Sequence, residues 1–160
     1  MRRSGSGGGF TLIEMVVTVA IVGVLAMVAM PLAETATKRH KEGELRTALR
    51  KLRGGIDAYR RAVDEGKIEK KLDESGYPRR LEDLAQGVTN LQDPAQLKIH
   101  ILRRLPRDPF SVDPALTAAQ TWGKRSYASP PEAPLEGADV FDVFSRSPGI
   151  GLNGIPYKDW

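Results

Sequence analysis

Hydrophobic and polar positions change pattern twice along this chain. From Phe10 to Ala33 the residues are almost all apolar, and Met15 to Ala33 carries no charge. That run is close to the roughly 20 residues a helix needs to cross a bilayer. Further on, Leu45, Ala48, Leu49, Leu52, Ile56, Tyr59 and Val63 recur at spacings of three and four, which is one face of an amphipathic helix. Together they predict one long helix from Phe10 to Glu65, stopped near Gly66. Pro31 has no backbone N–H and should kink or loosen this helix without ending it. Gly54-Gly55 costs about 1 kcal/mol per glycine relative to alanine, so the pair predicts a bend or a close-packing point.

Beyond Gly66 the pattern breaks into short pieces. Lys67 to Gly76 reads as a polar loop. Tyr77-Pro78 introduces a short helix, Arg79 to Gln86, with Leu81, Leu84 and Ala85 inward and Gly87 as its stop. Asp93-Pro94 reads as a further helix start, a capping residue before proline. Gln96 to Arg104 fits helix and strand equally. Leu105 to Phe110 carries two prolines, each restricting the residue before it, and must be extended or turning. Trp122 to Ser129 and Asp139 to Ser145 are rich in β-prone residues and read as strands. Ser129 to Gly137 is a proline-rich connection, and Asn153-Gly154 predicts a turn before Ile155 to Trp160. The fold class is therefore α+β: a long N-terminal helix, first apolar and then amphipathic, packed on a small antiparallel sheet. The divisions are residues 1–9, 10–33, 34–66 and 67–160.

Charge sharpens the reading of the first 33 residues. Met1 to Gly9 is glycine-rich, holds Arg2 and Arg3, and offers nothing that packs, so it reads as targeting material. The two arginines bias this end to the cytoplasm. Glu14 is the only charge between Arg3 and Glu34. A carboxylate in a membrane helix costs roughly 2.5–3.5 kcal/mol at the helix centre and calls for a function. Thr11-Leu12-Ile13-Glu14 also fits a capping box, and a carboxylate suits the positive end of a helix starting here. A general secretory signal fits less well, because the apolar run is too long and Pro31 stands in the small-residue site. A plain uncut anchor is the other simple reading.

Composition removes whole classes of function. The formal charge of +4 falls to about +2 without Arg2 and Arg3, too little to argue for nucleic acid. The basic residues from Lys38 to Arg61 cover the helix face opposite the apolar one and read as a solvated or headgroup-facing surface. There are no cysteines for disulfides or thiolate chemistry. His40 and His100 lie far apart in sequence, with no metal-ligand spacing around them. Gly149 to Gly154 matches G-x-G-x-x-G literally, but Pro156 follows where a dinucleotide site needs a helix. No catalytic constellation survives, so the chain reads as non-enzymatic and without a metal.

At Gly9-Phe10-Thr11-Leu12-Ile13-Glu14 and the apolar run behind it, the sequence resembles the type IV pilin superfamily, which includes the pseudopilins of type II secretion. The resemblance implies that a prepilin peptidase cuts between Gly9 and Phe10. Phe10 then becomes an N-methylated first residue, and Glu14 meets the Phe10 amine of a neighbouring subunit during assembly. Gly23 and Pro31 sit where family helices carry a glycine and a helix-loosening proline. It further implies a single-pass protein of the bacterial inner membrane with its larger domain in the periplasm. Its partners would be lipid before assembly, then copies of itself and other pseudopilins in a helical filament, with the inner-membrane secretion platform. A minor type IV pilin serving adhesion, motility or DNA uptake is the alternative reading.

The second half resembles the major-pseudopilin family of type II secretion. Tyr77-Pro78, Leu105-Pro106-Arg107-Asp108-Pro109-Phe110 and Phe141-Asp142-Val143-Phe144-Ser145 stand in that family's order. The family's loop after the last strand is acidic and binds calcium, which staples a disulfide-free domain. Here Arg146 to Gly154 contains no carboxylate. Calcium takes six to eight oxygens, and Asp139, Asp142 and Asp159 are poorly clustered for that in sequence. The expectation is a domain without a cofactor, with calcium as the alternative the ligand count disfavours and Tyr157-Lys158-Asp159-Trp160 as the substitute staple.

Overall fold

The computed structural model describes residues 10–160, apart from the side chain of Val28. The chain divides into two compact units, Met1–Arg39 and His40–Trp160. The longest element is helix α1, Leu12–Asp64, with Pro31 inside it. It starts two residues later than the periodicity predicts. Thr11 takes the capping position there, and its Oγ1 accepts the amide of Glu14 at 3.3 Å. At the other end Gly66 adopts φ +70°, and the amides of Gly66 and Lys67 turn back onto Val63 O and Ala62 O. That is a Schellman stop, and it explains why the helix ends where a glycine stands.

In the first unit the described apolar side chains of the helix between Leu12 and Leu32 are exposed. In the second, the predicted apolar face is the core. Leu45, Ala48, Leu49, Leu52, Ile56, Tyr59 and Val63 are all buried, in one cluster with Leu81, Leu84, Leu102, Trp122, Val140, Val143 and Tyr157. Gly55 is where Leu102 packs: an added Cβ would lie 3.3 Å from the leucine side chain, a tight contact. Gly54 faces open space.

The predicted helix Arg79–Gln86 is shorter than expected. Helix α2 covers only Asp83–Gln86. Before it the amides of Asp83 and Leu84 bond three residues back, to Arg80 O and Leu81 O, so the chain winds in tight turns instead of α-helical ones. Leu81 and Leu84 are nonetheless fully buried, as their spacing requires.

Asp93-Pro94 does not begin a helix. The Asp93 carboxylate accepts the Ala95 amide, its carbonyl accepts the Gln96 amide, and Gln96 turns left-handed at φ +51°. This turn joins strands β1, Val88–Thr89, and β2, Lys98–Ile99, which pair antiparallel with Val88 opposite Ile99. Gln96 to Arg104 thus supplies a two-residue strand and then a bend. A second antiparallel pair joins β3, Trp122–Arg125, to β4, Asp142–Ser145. Both strands fall inside the predicted ranges but are shorter. Asp139 Oδ1 takes the Ser126 hydroxyl and the Tyr127 amide, so a side chain replaces the ladder beyond Arg125. The small sheet of the prediction is therefore two separate two-stranded pairs.

Candidate assembly site

Gly9, the residue before the expected cut, lies outside the described residues. Phe10 lies two residues before the first helical residue and is 77 % exposed. Glu14 stands in the first helical turn, where the positive end of the helix favours a carboxylate, and its side chain is exposed. Gly23 sits mid-helix with nothing within 4 Å of the position a Cβ would take. Pro31 lies inside the helix, and its carbonyl accepts the Thr35 hydroxyl at 2.8 Å. Lacking an N–H, Pro31 cannot donate to the carbonyl four residues back. The result is an apolar rod with a single carboxylate near its start. Among the described residues it is the one helix long and apolar enough to cross a membrane.

The second unit shows what the downstream motifs do. Asp108, in the Leu105–Phe110 stretch, is 3 % exposed and accepts the Ser145 hydroxyl and the Phe110 amide. Its own amide donates to the Thr121 hydroxyl at 3.1 Å. Two stretches quoted for the resemblance, one ending at Phe110 and the other at Ser145, thus hold each other directly. Trp122 adds a third tie, donating from Nε1 to Pro106 O at 2.9 Å.

The segment from Gly149 to Trp160 folds back onto the helix. Gly149 O accepts the Tyr157 amide and Ile155 O the Gly151 amide, and Gly154 turns at φ +79° where the Asn153-Gly154 pair predicts it. Tyr157 is 2 % exposed, stacks on Phe110 at 4.2 Å, and donates its hydroxyl to Glu42 Oε1 at 3.0 Å. The same carboxylate oxygen accepts the Leu152 amide at 2.8 Å. Burial, then the Glu42 carboxylate, pushes the Tyr157 phenol up to about 12. Arg46 lies over the Trp160 ring, 4.4 Å from its centroid.

Two residues central to this closure, Glu42 and Arg53, do not stand out from their residue types. Glu42 was legible by register: it lies three residues before Leu45 and so falls on the apolar face, where a charge needs a partner. Arg53 sits four residues after Leu49, at the edge of that face. The acidic residues considered for a metal do not converge. Asp139 is tied to Ser126 and Tyr127, Asp142 to Arg53 and Arg125, and Asp159 is exposed. Among the described residues no three of His, Cys, Asp or Glu are grouped to hold a metal. His40 faces Glu44, and His100 meets Ala85 O.

Comparison with known proteins agrees with this geometry. Residues 7–30 match the prokaryotic N-terminal methylation motif. Over most of its length the chain is similar to proteins named type II secretion system core protein G. The one from Klebsiella michiganensis is 27 % identical, with 99 % of this chain and 92 % of the relative covered. That from Klebsiella pneumoniae is 29 % identical over 92 % and 86 %. That from Vibrio cholerae is 29 % identical over 71 % and 72 %. No solved structure matches significantly. The long helix, the small antiparallel pairs and the motif are similar to those of type IV pilin-like proteins. Within that class it is similar to the major pseudopilin of type II secretion. Its relatives are named as core components of a secretion system, in keeping with a structural and non-enzymatic chain.

Proposed function

We propose that this chain is a structural subunit of a type II secretion pseudopilus. A prepilin peptidase cuts it between Gly9 and Phe10, and the new amine of Phe10 is methylated. Before assembly the apolar helix crosses the inner membrane once, with the leader cytoplasmic and the His40–Trp160 unit periplasmic. Subunits then leave the lipid and stack through their apolar helices into a helical periplasmic filament, with other pseudopilins and the inner-membrane platform as partners. Stacking of this kind is a heterologous, non-closing contact, which generates helices. Growth of the filament drives export of the secreted proteins. Gly23 and Pro31 let the apolar helix adapt as it packs.

One observation carries this reading: a lone carboxylate near the start of an otherwise uncharged apolar stretch of helix, Leu12 to Ala33, that begins two residues after Phe10. The cut creates a positive amine beside lipid, and pairing it with Glu14 of a neighbour relieves two costly charges. Breaking one partner of a buried ion pair typically costs about 3–5 kcal/mol. Glu14→Ala should therefore abolish or strongly slow filament formation while the periplasmic unit melts as in the wild type. Filaments at the wild-type level from this variant would overturn the mechanism.

A further inference from the structure

The resemblance implies a calcium ion that gathers oxygens beside the last strand, yet the donors of this chain do not fit one. The loop after β4 has no carboxylate, and the nearby aspartates are already engaged or stand apart. What does gather oxygens there is a side chain. Arg53 Nε donates to Asp142 Oδ1 at 2.8 Å. Its Nη2 donates to Val143 O at 3.1 Å and to Trp160 O at 2.8 Å. One cation thus binds a carboxylate and two main-chain oxygens, from β4 and from the closing segment, and roots both on α1.

We propose that the Arg53 guanidinium is the built-in cation of this domain, doing the stapling that calcium would do, so that the fold is independent of calcium. Calcium binds such sets of carboxylate and carbonyl oxygens. A guanidinium meets the same requirement with fixed charge and a planar fork of N–H donors, and it cannot be chelated away. Asp142 is the shared acceptor: its Oδ1 also takes the Val143 amide, and Arg125 approaches its Oδ2 at 3.7 Å. That leaves little of the carboxylate free for a divalent ion. The Glu42–Tyr157 bond holds the same segment from a second point on α1. The inference concerns contacts inside one domain and holds whether or not the chain polymerises.

The test uses the full chain in detergent. Its melting temperature is measured with added calcium and with excess EGTA, alongside Arg53→Lys and Arg53→Met. Equal melting in calcium and EGTA is expected for the wild type. Both variants should melt lower, with lysine between methionine and the wild type because it keeps the charge and loses the fork. Amide exchange should separate this local role from a general loss of packing. Arg53→Lys should speed exchange roughly tenfold or more within Gly149–Trp160, as losing hydrogen bonds to a charged group implies, and speed Leu84 and Leu102 by no more than the fall in global stability requires. A rise in wild-type melting temperature on adding calcium would overturn the proposal, as would unchanged melting or exchange in Arg53→Lys. If Arg53→Met does not fold, the lysine variant and the calcium comparison still decide.

Discussion

Buried polar side chains set the shape of the second unit one contact at a time. Glu42 is 5 % exposed and accepts hydrogen bonds from the Tyr157 hydroxyl and the Leu152 amide. Replacing Tyr157 by phenylalanine removes one of these and should cost about 1–3 kcal/mol at neutral pH, read from urea unfolding. The pH dependence has a definite sign. The Tyr157 phenol titrates near 12 in the fold against 10.0 unperturbed, so the fold holds the protonated form. Its contribution is complete below pH 10 and is lost as the pH rises from 10 to 12. Tyr157→Phe should therefore flatten part of the alkaline decline, leaving the part due to Tyr59, whose phenol is also raised, chiefly by burial. An alkaline profile identical to the wild type would contradict this assignment. Asp108 makes the same argument nearer the sheet. Asp108→Ala strips the partner from buried Ser145 and should destabilise by roughly 2–4 kcal/mol. These buried contacts were the hardest part to read in advance. The resemblance pointed to Asp108 and Ser145 as motif positions, but nothing in their spacing said they touch across 37 residues.

The helix is the element whose sequence and structure agree most closely, because its period repeats over many turns and a glycine ends it. Every residue assigned to its inner face from Leu45 to Val63 is buried. The short elements were less legible for a physical reason. β1 and β2 have two residues each, too few for alternation to appear, and their pairing depends on a turn at Asp93–Gln96 that reads equally as a helix start. The strands β3 and β4 were visible in their β-prone residues, but their ends depend on Asp139, a side chain that bonds across the connection. The adjacent glycines of α1 provide a test at this scale. Gly54 is exposed with open space at its Cβ position, so Gly54→Ala should stabilise by about 0.5–1 kcal/mol through helix propensity. Gly55→Ala should gain less, because Leu102 sits against it. Chemical denaturation of both variants checks the pair. Equal gains would show that Leu102 yields freely.

At the scale of the whole molecule the two units have opposite needs. The His40–Trp160 unit buries its apolar face within itself and ties its last segment back onto the helix through Glu42 and Arg53. The apolar stretch before it has its described side chains exposed, a surface suited to lipid or to other chains. A lone carboxylate at its start suits the positive end of the helix, and the proposed cut after Gly9 would give it a neighbour's amine as a further partner. In the proposed function, processing follows insertion and is the event on which pairing and stacking depend. The most direct measurement is the intact mass and N-terminal sequence of the protein extracted from membranes. The account predicts a chain that begins at Phe10 and carries one added methyl group on that amine. A chain that still begins at Met1, or one that begins after Ala33, would contradict it.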